Sequence, residues 1–141
     1  MSGDDERAIE TVIRRFARLN DEGQWTALAE LFTEDAVFAR PSAPDQPIAG
    51  RAAILAAFRA RPSRLVRHLV CNTMVTMAGA DAAEAFSYSL LVSTGPAGAS
   101  LAVGEFRDRL MRDGRAWKFA ARFGRTTIDG LAFASQGRVS A

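Results

Sequence analysis

The stretch RHLVCN, residues 67–72, holds the only histidine and the only cysteine of this 141-residue chain, three positions apart. Three chemistries fit that pair: two ligands of a metal ion, a thiol nucleophile with its base, or a lone imidazole acid/base beside an unrelated sulfur. The backbone that carries the pair decides among them. Residues 64–78 are rich in β-branched and apolar side chains and read as a strand, on which side chains alternate faces. His68 then shares a face with Val66, Val70, Asn72 and Met74, and Cys71 points the other way with Leu69 and Thr73. No metal is expected from this spacing, and Cys71 reads as a small hydrophobe rather than a nucleophile. His68 is left as a single acid/base.

An imidazole working alone needs a partner that holds its tautomer and stabilises its charged form, normally a carboxylate. Asp21 stands at the C-terminal end of the first helical stretch, close to the side of Phe16. From spacing alone it reads first as a helix-terminal or solvated acid. Donors toward a developing oxyanion are also required. Asn72 on the face of His68 and Tyr88 on the neighbouring strand are of the right type, and each reads equally well as a structural residue. Arg122, in FAARFG, suits an anionic or carbonyl group if it points inward, and otherwise an ion pair with Glu105 or Asp108 on the paired strand. Trp25, Phe38, Phe58, Phe86, Phe106 and Phe119 would make any cavity apolar, which suits a small hydrophobic cyclic or aromatic ligand.

The elements that must position these residues follow from periodicity. Ile9, Val12, Ile13, Phe16 and Leu19 or Asn20 form one stripe of a helix over about 5–20, ended by Gly23. A short helix carries Trp25, Leu28, Ala29 and Phe32 on one face, and a strand follows at 36–40. PSAPDQP, 41–47, reads as a surface loop. Gly50 opens a third helix that Pro62 ends. Four strands are expected at about 64–78, 82–93, 101–112 and 115–128, with Asp113-Gly114 as a two-residue hairpin turn that needs positive φ at both positions. Helices followed by antiparallel strands make an α+β domain, its helices on one face of a curved sheet. The domain is expected to span residues 1–130, with residues 131–141 as an unassigned tail.

Composition narrows the partners. The chain is 48% hydrophobic and 24% charged with a formal net charge of +2, ordinary for one globular domain. Acidic residues interleave with the arginines, so no nucleic-acid footprint is read. No apolar run approaches the roughly 20 residues that span a bilayer, so no membrane is expected. A single cysteine excludes an internal disulfide. With an acidic, polar N-terminus unlike a signal peptide, the expected location is the cytoplasm.

The order NDEGQWTALAELFTEDAVF, GRAAILAAF, RHLVCN, then strands ending in WKFAARFGRTTIDG, resembles the nuclear transport factor 2-like superfamily, in its SnoaL-like and scytalone-dehydratase-like branch. The resemblance covers residues 5–130. It implies a cone-shaped, cystatin-like fold with three N-terminal helices packed on a strongly curved, mainly antiparallel sheet. Scytalone dehydratases carry an aspartate four residues before a tryptophan at the end of the first helix, and a histidine just inside the strand after the third. Those positions match Asp21, Trp25 and His68, and the resemblance implies an Asp21–His68 hydrogen bond across the pocket. It departs elsewhere: those enzymes hold a water with two tyrosines and use a second histidine, whereas this chain has Tyr88 alone, Asn20 where one tyrosine would stand, and no other histidine. Ketosteroid isomerases carry a base on the first strand, and AVFAR has no carboxylate. Limonene epoxide hydrolases need an Asp-Arg-Asp relay, and Arg107-Asp108 are adjacent on one strand.

Two functions are thereby implied. One is a cofactor-free lyase or isomerase that dehydrates or enolises a small cyclic hydroxyketone. The other is a non-catalytic ligand-binding or accessory subunit, like the small subunits of ring-hydroxylating dioxygenases. The resemblance also implies a homodimer through the outer sheet face, with Leu69, Val75 and Met77 between subunits.

Overall fold

The computed structural model describes residues 3–132. In chain order the elements are α1 (Gly3–Glu22), α2 (Trp25–Ala29), β1 (Phe32–Arg40), β2 (Ala43–Ala49), α3 (Arg51–Arg59), β3 (Val66–Met77), β4 (Ala82–Gly95), β5 (Gly98–Asp113) and β6 (Ala116–Ala132). The six strands form one curved, open sheet in the order β2-β1-β6-β5-β4-β3. Every neighbouring pair is antiparallel except β1 and β6, which run parallel. The three helices pack on the sheet, and the α+β architecture matches the expected one. No helix among the described residues is long and apolar enough to cross a membrane. Residues 133–141, most of the expected tail, lie outside the described residues.

The stripe expected on α1 is the buried one: Ile9, Val12, Ile13, Phe16, Ala17 and Asn20 face the sheet. Phe16 is the hub. Its ring lies 5.8–6.1 Å from those of Phe32, Phe38, Phe58, Phe106 and Phe119, in mostly edge-to-face contacts, the arrangement the ring quadrupoles favour. Truncating such a side chain to alanine costs about 3–5 kcal/mol. At the wide end of the sheet a glycine sets the spacing: a Cβ on Gly124 would meet Pro41 at 2.6 Å and Phe106 at 2.8 Å. Any side chain there would push apart two groups that wall the interior hollow.

Three local expectations are corrected. The segment 41–47 is not all loop, because β2 begins at Ala43 and runs through Pro44 and Pro47. β2 is an outer strand of the sheet, where a residue without an N–H costs no ladder bond on the free side. The β5–β6 hairpin turns on Gly114 and Arg115, flanked by the Asp113–Ala116 pair. Only Gly114 has positive φ (65°), so the glycine occupies the first turn position, as in a II′ turn. Finally, β3 carries a bulge between Cys71 and Met74, where Asn72 adopts φ 54°. The extra residue reverses the alternation of faces beyond it. Met74 is therefore 70% exposed, and Val75 and Met77, expected at a subunit interface, pack against the core.

Candidate active site

β3 is an edge strand paired only with β4, so alternate backbone N–H groups on its free side lack a ladder partner. The N–H of His68 is one of them, and Asp21 satisfies it. From the last turn of α1 the carboxylate accepts this N–H through both oxygens at 3.1 Å. Its Oδ1 also lies 2.6 Å from Nδ1 of the His68 ring. One side chain thus fixes both the strand and the imidazole. Since Asp21 accepts, Nδ1 carries the proton in the neutral ring, and Nε2 is left as the lone-pair nitrogen.

Both side chains are largely withdrawn from water, 14% and 11% exposed. Burial pulls the His68 imidazole below its ordinary value; Asp21 opposes this through its hydrogen bond and its charge, while Arg61 and Arg64 push the same way as burial. At neutral pH the ring is accordingly neutral and able to accept a proton at Nε2.

His68 borders a partly open hollow of about 290 Å³ between α1 and the concave sheet face. Its apolar walls include Phe16, Phe38, Leu91 and Phe106, and its polar groups include Asn20, Arg40, Arg61, Arg64, Ser89 and Ser93. On its other side His68 borders a shallower groove between α1 and β3, lined mainly by charged residues such as Arg14, Arg18, Glu22 and Arg67. The deeper, partly apolar hollow is the one suited to an organic ligand.

Of the residues singled out from the sequence, the structure brings His68 and Asp21 together and sets His68 on the hollow. Asn72 and Tyr88 lie elsewhere, with Cys71 on the outer face of the sheet. The bulge turns Asn72 away, and on β4 it is Ala85, Ser87 and Ser89 that point inward, so Tyr88 points out. Phe86 shares that outer face, edge-to-face with Tyr88 at 5.2 Å. Val70 borders the α1–β3 groove. Trp25 stacks on Phe58 at 5.4 Å and faces a separate hollow beside Arg61.

Arg122 points inward but is not free. It is 1% exposed, donates from Nη1 to Asp108 Oδ2 at 2.6 Å, and lies over the rings of Phe106, Phe16 and Phe119 at 3.8–4.6 Å. Of the two acids named for it on β5, Asp108 is the partner. Burial pushes the Asp108 carboxyl up to about 6, against the pull of Arg122. Asp108 Oδ1, Arg122 Nε and the Ser87 hydroxyl are buried without hydrogen-bond partners. The pair is a core element beneath the hollow rather than part of its wall.

The sequence reading missed the polar lining. Ser89 and Ser93, with Leu91 between them, fall on alternate positions of SLLVS and form an inward stripe of period two, a signal that was legible. Arg61 and Arg64 sit in the connection between α3 and β3, where periodicity says nothing about direction.

Comparison with known proteins bears on the fold and the family. The profile of the SnoaL-like domain matches residues 2–122. Among solved structures, a candidate scytalone dehydratase from Novosphingobium aromaticivorans superposes with a TM-score of 0.80 at 24% identity, over 97% of this chain and 95% of that one. An NTF2-like protein with a cystatin-like fold from the same organism gives 0.78 at 26% identity, over 87% and 82%. A protein from Catenulispora acidiphila in complex with S-DNPA gives 0.75 at 24% identity, over 89% and 95%. Among curated proteins no sequence matches the chain. The chain belongs to the SnoaL-like family of the nuclear transport factor 2-like superfamily.

Proposed function

We propose that the hollow beside His68 is the active site of a cofactor-free lyase or isomerase acting on a small cyclic hydroxyketone. The carrying observation is the 2.6 Å contact of Asp21 with His68 Nδ1 at the wall of the cavity, which leaves Nε2 to act. Nε2 takes a proton from the carbon next to a carbonyl, and the electron pair moves onto the carbonyl oxygen as an enolate. The imidazolium, stabilised by Asp21, then returns the proton to a departing hydroxyl or to another carbon of the enolate. The first outcome eliminates water; the second, in a substrate with a C=C bond beside the α-carbon, shifts that double bond. Ser89, buried on β4 opposite Val70, and Asn20 are the neutral groups of the wall suited to the enolate oxygen. The likeness to a candidate scytalone dehydratase supports the reaction class.

A specific observation favours the second reading, a non-catalytic ligand-binding or accessory protein: the only tyrosine faces away from the hollow and there is no second histidine. Deuterium incorporation separates the two. A panel of cyclic ketones and hydroxyketones is incubated with the protein in D₂O, and exchange at the α-carbon is followed by NMR. The proposal expects exchange by the parent that falls by about 10²–10⁴-fold in His68→Gln. Equal exchange by both proteins leaves the binding reading.

We also infer a homodimer through the outer face of the sheet, on which Leu69, Met74, Tyr88, Met111 and Phe123 are 38–70% exposed. Light scattering of the parent beside Met74→Lys tests it, the variant being expected as a monomer.

A further inference from the structure

Three guanidinium groups converge on the hollow beside His68. Arg40, Arg61 and Arg64 all line it, and the one acid in its wall is Asp129, whose Oδ1 accepts the N–H of Gly130. None of the three arginines has an ion-pair partner among the described residues. Their neutral contacts are sparse. Arg61 Nη1 reaches Asn20 Oδ1 only at 3.4 Å, and its guanidinium lies 4.4 Å from the centre of the Phe58 ring. Arg40 Nη2 donates to the Ala57 carbonyl at 3.0 Å, while its Nε is buried without a partner.

Grouping like charges in this way is unfavourable by itself. Arg61 is driven down to about 10 by burial and by the neighbouring charges of Arg40 and Arg64. By contrast, Arg112 is neutralised by Asp5 and Asp81, and the buried Arg122 by Asp108. A cluster without ion pairs, at a hollow that also borders the imidazole, suits an anion.

We propose that this hollow takes an organic carboxylate, a one- or two-ring compound whose apolar body rests on Phe16, Phe38 and Phe106 and whose carboxylate is bound by Arg61 with Arg40 or Arg64. The planar fork of arginine suits a carboxylate through paired N–H donors. A cavity of about 290 Å³ holds one small ring system and no more. This deepens the reading of the hollow as a substrate site: the carboxylate anchors the substrate at the arginines while the reacting carbon meets Nε2 of His68. It does not depend on His68 being a base.

The test is equilibrium binding by calorimetry of 2-naphthoate and of its methyl ester, which share a ring body and differ by the charge. The proposal expects the acid to bind at least about tenfold more tightly, an advantage that shrinks with added salt. Arg61→Gln should remove most of it and leave the ester unchanged. Because Arg61 packs on Phe58, Arg64→Gln serves as a second variant at an exposed position, with a smaller loss expected. Equal binding of acid and ester overturns the proposal, as does the absence of saturable binding of the acid in the millimolar range. Failure of the catalytic reading looks different: acid-selective binding retained in both parent and His68→Gln, with no α-carbon exchange by either.

Discussion

A single carboxylate, that of Asp21, holds His68 at three points: both oxygens accept its backbone N–H at 3.1 Å, and Oδ1 meets Nδ1 at 2.6 Å. The contact joins the end of α1 to an edge strand through two residues 47 positions apart in sequence. It therefore ties the position of the imidazole to the docking of the first helix. Asp21 closes the free side of the strand with both oxygens and selects the tautomer with one of them.

The ionisation of His68 follows with a definite sign. Asp21 raises its pKa, and Arg61 lowers it. Replacing Asp21 by Asn should therefore move the pKa of the imidazole further down, and replacing Arg61 by Gln should move it up. NMR titration of the one histidine reads both shifts, and movement in the same direction for both variants would contradict this account of the site.

The proposed catalysis depends on neutral His68, so kcat/KM should rise with pH through the pKa of the free enzyme and level off above it. Burial lowers that pKa in the folded chain, so the midpoint should fall below the ordinary value of about 6.5. The same depression has a stability consequence. The unfolded chain binds the proton first as pH falls, so the contribution of neutral His68 is complete above about 6.5 and is lost as pH falls from there through the folded value. Thermal unfolding of parent and His68→Gln across that window should show the parent losing more stability on the acid side.

The buried pair of Asp108 and Arg122 predicts a non-additive pattern. Asp108→Ala alone leaves a buried guanidinium without its counter-charge and should cost about 3–5 kcal/mol. Replacing both residues together by apolar ones, Asp108→Leu with Arg122→Met, should recover most of that loss. Denaturant unfolding of the two singles and the double measures the coupling. Additive losses would show that the two residues act independently.

Asn72, at φ 54°, holds the bulge that reverses the faces of β3. Glycine adopts this conformation freely, so Asn72→Gly should be nearly neutral. A β-branched residue resists it, and Asn72→Val should destabilise by roughly 1–2 kcal/mol. Because Asn72 lies on the outer face, ligand binding in the hollow should be the same in folded samples of both variants. Calorimetric titration beside thermal melts separates the two effects.

Much of this molecule was legible in its sequence, because local periodicity reports which side of an element meets the core. The stripe from Ile9 to Asn20, the strands after residue 64, and the opposite directions of His68 and Cys71 all follow from spacings of 3.6 and 2 residues. Those spacings left His68 as the only imidazole available and excluded its pairing with Cys71. What they could not supply was any relation between elements. That Asp21 faces His68 rather than solvent was decided by the packing of α1 against β3; only the resemblance to relatives had suggested it. One inserted residue at Asn72 was enough to send Met74 outward and Val75 inward, since a period of two propagates a single irregularity along the rest of the strand. The arginines of the hollow were likewise invisible as a group. Arg40 closes a strand while Arg61 and Arg64 lie in a connecting segment, and only the tertiary fold brings all three to one cavity.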